Sequence, residues 1–185
     1  MTPLPGAISA LDARTGKGLG VAGTELFVWR LEATKHFATW HMAEGAFRVG
    51  GRWSSAGRRV LYTSIDPSTT ILEVGVHKGL DTLDAVAHTL LQIQIIDPLR
   101  VQLADIASIP NPNWLRPGTV SAGQQRFGDS LLAAHPLVLI PSVVSTHSWN
   151  LLIDADAAGA AKLFRLHGSD VFGLDPRLNP VRRTP

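Results

Sequence analysis

The run Leu26-Phe27-Val28-Trp29-Arg30-Leu31 is apolar and aromatic except for one charge, and no other feature constrains the fold as tightly. A short run of this composition reads as a strand. A cation inside it needs a partner or an anionic ligand, because burying a lone charge costs several kcal/mol.

Other runs of the same kind follow. Val60-Leu61-Tyr62-Thr63-Ser64 comes after the loop Gly50-Gly51-Arg52-Trp53 and is rich in β-formers. Residues 90–96 alternate apolar positions with Gln92 and Gln94, residues 137–144 form an apolar strand carrying Pro141-Ser142, and 149–153 and 161–166 are further strand candidates. Asp66-Pro67 is a helix start with Asp66 at the N-cap and Pro67 at the first helical position; the helix continues to Lys78, and Gly79 supplies the stop. Residues 121–134 predict a second helix. Short strands mixed with a few helices predict a single α+β domain with mixed or antiparallel sheet and flanking helices, beginning near Thr24 and running to 185. Residues 1–23, with two prolines and five glycines, predict a loosely ordered arm.

Composition removes several classes of function. The absence of cysteine excludes thiolate nucleophiles, disulfides and cysteine zinc sites, and fits a reducing cytoplasm. The seven histidines include no pair at helical ligand spacing beside a glutamate, so no metal is expected. A net charge of +2 with scattered basic residues, clustered only at Arg58-Arg59 and Arg182-Arg183, does not argue for direct nucleic-acid binding. No run approaches the roughly 20 apolar residues that span a bilayer, and the chain is expected to be soluble and unexported. Only 17% of residues are charged, which suits a surface patch covered by a partner protein.

Arg30, Arg52 and Glu73 are charges in apolar surroundings. One reading pairs Arg30 with Glu73 as a structural ion pair. The other uses the planar arginine fork to grip a pyrophosphate and the glutamate to stabilise a cationic sugar, which suits N-glycosidic cleavage. Tyr62, the sole tyrosine, can stack on a nicotinamide or adenine and offer its hydroxyl to a phosphate or ribose; it can equally be a half-buried strand aromatic. Ser142 can donate to a phosphate oxygen or satisfy local backbone. Ser142 or Ser145 with His147 and Asp154 leaves a serine hydrolase open, and a nucleotide- or partner-binding domain without chemistry is a further alternative.

Taken in order, Val28-Trp29-Arg30-Leu31, Gly50-Gly51-Arg52-Trp53-Ser54, Tyr62-Thr63-Ser64, Leu72-Glu73-Val74, Ile140-Pro141-Ser142 and Asn150-Leu151-Leu152 resemble the RES-domain family, over roughly residues 26–178. The resemblance implies a fold similar to ADP-ribosyltransferases and a toxin that consumes NAD⁺ by hydrolysis, phosphorolysis or ADP-ribosyl transfer. It also implies a helix-turn-helix, Xre-type antitoxin that occludes the site in a hetero-oligomer. Carried over by position, it makes Glu73 the essential glutamate and Arg30 the contact to the NAD⁺ phosphates or ribose. Tyr62 becomes the residue beside the nicotinamide, Ser142 the family serine and Arg52 a second phosphate contact. Ser54 departs from an asparagine often found there, and Asp154-Ala155 from an Asn-Pro.

Overall fold

The computed structural model describes residues 25–116, 118 and 120–178; the arm expected over 1–23 and the Arg182-Arg183 cluster lie outside the described residues. Strand β1 (Leu26–Ala33) leads through a 3₁₀ segment (Thr34–Met42) to helix α1 (Glu44–Val49) and strand β2 (Val60–Ser64). Helices α2 (Pro67–Lys78) and α3 (Leu80–Ala85) precede β3 (His88–Ile95) and the two-residue β4 (Gln102–Leu103). Helix α4 (Ala122–Ala134), β5 (Leu137–Pro141), β6 (Trp149–Asp154) and β7 (Phe164–Phe172) complete the order. The strands form one sheet, β4-β5-β6-β2-β1-β3-β7, antiparallel except for the β4–β5 pair. The α+β class, with a mixed sheet and flanking helices, is the one the sequence predicts.

Strand alternation explains where the core lies. Leu61, Leu139, Leu151 and Ile153 join one apolar cluster, whereas Val60, Val138, Ile140 and Leu152 join another on the opposite face. Strands β5 and β6 are buried along their whole length because both faces are covered, so their sequences read as continuous apolar runs. The first cluster is closed by Trp40 and Phe164, the second by Trp53, Trp114 and α4.

Two expectations are corrected. The strand placed at 161–166 begins at Phe164 and runs to Phe172, while Ala160–Lys162 is a 3₁₀ turn. As an edge strand exposed over most of its length, β7 needs no apolar alternation to mark it. The strand expected over 137–144 stops at Pro141; the Ser142 amide still bonds the Ser148 carbonyl at 2.9 Å, and beyond it the chain turns, the Ser148 amide closing on the Ser145 carbonyl at 2.8 Å.

One junction within the sheet is thin. Strand β1 pairs with β3 over eight positions and β2 pairs with β6 over five, but β1 and β2 meet at a single register pair, Trp29 with Ser64. Beyond that point a side chain bridges the seam: Nη1 of Arg30 donates to the carbonyl of Tyr62 at 3.1 Å.

Candidate functional site

Glu73 lies two turns into α2, and the start of that helix is fixed before its middle can be. Asp66 accepts from the Thr69 amide at 2.8 Å, while its other oxygen takes the Thr69 and Ser148 hydroxyls, each at 2.7 Å. Burial pushes the Asp66 carboxyl up, but hydrogen bonds from the Thr69 and Ser148 hydroxyls and the Thr69 and Ser68 amides outweigh it and hold the group below its ordinary value. Because Ser148 belongs to the β5–β6 connection, this cap joins α2 to the strands that carry the rest of the site.

Those strands clamp the carboxylate. Oε1 of Glu73 accepts from the Ser142 hydroxyl at 2.8 Å and from the Asn150 amide at 2.6 Å. Asn150 is oriented by Ser64, whose hydroxyl donates to its carbonyl oxygen at 2.8 Å and leaves the NH₂ aimed at Glu73. Ser142 is oriented by the amide of Ser145, which donates to its oxygen at 2.9 Å. Both charge-assisted bonds fall on one oxygen. Oε2 stands 3.9 Å from Nε2 of His77, beyond hydrogen-bonding distance, and the Glu73 side chain keeps 19% of its surface exposed.

Arg52 approaches from the Gly-Gly-Arg-Trp loop. Partial burial lowers the affinity of its guanidinium for the proton, and the charge of Glu73 acts in the opposite sense. Its Nη2 also reaches the carbonyl of Gly118 at 3.4 Å. The loop needs its second glycine here, because a Cβ on Gly51 would run into the Tyr62 hydroxyl.

Tyr62 is placed differently from one expectation. Its hydroxyl accepts from the Trp53 amide at 3.1 Å and shares a 2.9 Å bond with Ser54, so it is engaged internally, and the ring packs against the cluster that holds Trp53 and Val60. Burial pushes this phenol up to about 12, with the Ser54 and Trp53 bonds acting the other way, and it stays protonated throughout the neutral range.

The structural pairing of Arg30 with Glu73 is not what forms. Nε and Nη2 of Arg30 both donate to one oxygen of Glu32, at 3.0 and 2.6 Å. Strand alternation sets Arg30 with Val28 and Leu91 on the face opposite Ser64 and Tyr62, so the seam between β1 and β2 separates it from the Glu73 clamp.

The serine-hydrolase arrangement does not assemble. The Ser142 hydroxyl donates to Glu73, His147 is exposed, and Asp154 is held by Arg58 at 2.7 Å. Among the described residues, no group of three or more histidine or acidic side chains is placed to hold a metal ion. Likewise among these residues, no helix is long and apolar enough to cross a membrane.

A family model described as the RES domain matches residues 27–171. The chain belongs to the RES-domain family. A protein of Photorhabdus laumondii subsp. laumondii named "Toxin Res" is 27% identical over 159 residues, covering 85% of this chain and all of that one. A "Toxin Res" of Pseudomonas putida is 30% identical over 131 residues, 70% of this chain and 84% of its own. The crystal structure of the M. tuberculosis MbcT–MbcA toxin–antitoxin complex matches with a TM-score of 0.64 over 93% of both chains at 18% identity, a likeness of fold.

Within this RES domain, Glu73 and Ser142 are in direct contact, the charge of Glu73 acts on Arg52, and Arg30 joins Tyr62 through the backbone. Asn150, Ser64, Glu32 and His77 were not singled out as site residues from sequence. Glu32 had a signal, since two residues along a strand from Arg30 is the same face. His77 had one too, being one helical turn from Glu73. Asn150 and Ser64 sit opposite each other across β2 and β6, a relation only the register reveals.

Proposed function

We propose that this RES domain cleaves the nicotinamide–ribose bond of NAD⁺, acts as the cytoplasmic toxin of a bacterial toxin–antitoxin pair, and is held inactive by a helix-turn-helix antitoxin that covers the site. The observation that carries this reading is the geometry of Glu73: one oxygen is fixed by Ser142 and Asn150, the other stands 3.9 Å from His77, and the side chain keeps 19% of its surface exposed. A carboxylate held rigidly by one oxygen can present the other to a developing cation without reorganising, which is the electrostatic requirement of an oxocarbenium-like transition state.

In this mechanism Arg52 holds the pyrophosphate, and Arg30 joins it only by leaving Glu32 and the Tyr62 carbonyl and turning across the β1–β2 seam. The Tyr62 ring lies against the nicotinamide. The C1′–N bond breaks with its electron pair leaving on nicotinamide, which thereby becomes neutral, and Glu73 Oε2 faces the ribose cation. Ser142 and Asn150 act through Glu73 as positioning residues. Water, phosphate or a protein side chain then takes the ribosyl carbon. Exposed Leu72 and Val76 on α2, immediately before Glu73 and His77 in sequence, offer apolar area suited to an antitoxin.

The test is to incubate the purified chain with NAD⁺, with and without phosphate and cell lysate, and identify the ribose-bearing product by mass spectrometry. Nicotinamide release is expected from the wild type, and Glu73→Gln is expected to bind NAD⁺ with little change and to lose turnover. Turnover by Glu73→Gln at the wild-type rate would overturn the mechanism, and NAD⁺ binding without any turnover by the wild type would favour a non-catalytic binding domain.

A further inference from the structure

We infer that His77 is the group that takes the proton of the incoming acceptor, in a notch between its own Nε2 and Oε2 of Glu73. The inference rests on the NAD⁺ reading above and concerns the second half of the same reaction.

The two oxygens of Glu73 are not equivalent. Oε1 already accepts from Ser142 and Asn150. Oε2 therefore meets the ribose cation, and it does so as an anion: a carboxylate that kept the acceptor's proton would lose the charge that stabilises the cation. Another base is needed close to Oε2 and open to the side from which an acceptor arrives.

His77 meets both conditions. It lies one turn after Glu73 on α2, so the helix itself sets the two side chains on one face. The Nε2–Oε2 separation is 3.9 Å, too long for a direct bond, yet one oxygen atom can stand within about 2.8 Å of both. The imidazole side chain is 68% exposed, so the acceptor can enter from solvent. Other charges near it are few in kind. Lys78 follows it on α2, α3 packed against α2 carries exposed Asp81 and half-buried Asp84, and Arg52 of the Gly-Gly-Arg-Trp loop is within electrostatic reach of Glu73.

The step balances without a further reagent. After the C1′–N bond has broken, the acceptor oxygen forms the new bond to C1′, its proton passes to Nε2 of neutral His77, and the imidazolium returns that proton to water. A surface histidine that merely decorates the helix would do none of this.

Three measurements on the full-length chain decide the matter. Wild-type nicotinamide release in phosphate-free buffer is expected to rise with pH, as does a reaction in which a neutral base takes up a proton. His77→Ala is expected to keep its thermal midpoint, flatten that rise and lower kcat by roughly a hundredfold at pH 7.5, the low end for a positioned proton acceptor, with KM for NAD⁺ little changed. Added imidazole is expected to restore a large part of the lost rate, because the position is exposed. A His77→Ala chain with wild-type kcat and pH profile would overturn the inference, as would a slow variant that imidazole does not rescue. A wild-type chain that releases no nicotinamide would instead remove the NAD⁺ reading and this inference together.

Discussion

At the scale of single residues, the clamp on Glu73 makes quantitative demands. A hydrogen bond to a charged group contributes about 1.5–3 kcal/mol, so Asn150→Ala or Ser142→Ala is expected to lower kcat roughly ten- to a hundredfold with the fold intact. Steady-state kinetics beside a thermal melt checks this; an unchanged kcat would mean that Oε1 needs no fixing. Tyr62→Phe separates ring from hydroxyl. It leaves the Trp53 amide without its acceptor, at a cost of about 1–3 kcal/mol in stability, while nicotinamide release should persist if the ring is what the ligand meets. Part of this candidate site is legible in the sequence: Glu73 and Arg52, like Arg30, are charges in apolar company, and Ser142 is marked by its motif. The Asn150–Ser64 relation was not legible, because it depends on strand register between segments 86 residues apart, and the internal use of the Tyr62 hydroxyl depends on a loop folding back.

At the scale of elements, α2 is the part that converts sequence into a working position. Asp66-Pro67 announced its start and Gly79 its end, and both ends fall as expected, with Gly79 at φ 83°. Asp66→Ala removes the N-cap, at a cost of about 1 kcal/mol, and also frees Ser148 from α2, so a larger loss is expected in a chemical-denaturation series. The sign with pH follows from the depressed folded-state value of Asp66. Its contribution is complete above the ordinary carboxylate range, where the unfolded chain is also ionised, and is lost as pH falls through the folded value. Wild-type stability should therefore fall on acidification more steeply than that of Asp66→Asn. A parallel decline in the two would show that the cap is not what titrates. Strand β7 was underestimated for the opposite reason: an exposed edge has no burial pattern to read, so its true length of nine residues followed only from its pairing with β3.

At the scale of the whole molecule, α4 is seated so closely on the Gly-Gly-Arg-Trp loop that a Cβ on Gly128 would collide with the Trp53 carbonyl. Gly128→Ala is thus expected to destabilise the chain by about 1–3 kcal/mol, the usual cost of overpacking, and to displace Arg52 with it. A higher KM for NAD⁺ alongside a lower thermal midpoint would register both; an unchanged midpoint would show that the loop yields. The strands that build the two apolar faces are legible as apolar runs, but the thin junction between β1 and β2 is not, since both strands are good β-formers and nothing local says that they part. That junction gives Arg30 two employers. The guanidinium proposed to hold a substrate also spans the gap in the ladder, so natural variation at position 30 is screened for foldability before it is screened for chemistry. In a selection for chains that have lost their toxicity, changes at Glu73 or His77 should be recovered in soluble protein, whereas those at Arg30 should come up mostly in chains that fail to accumulate.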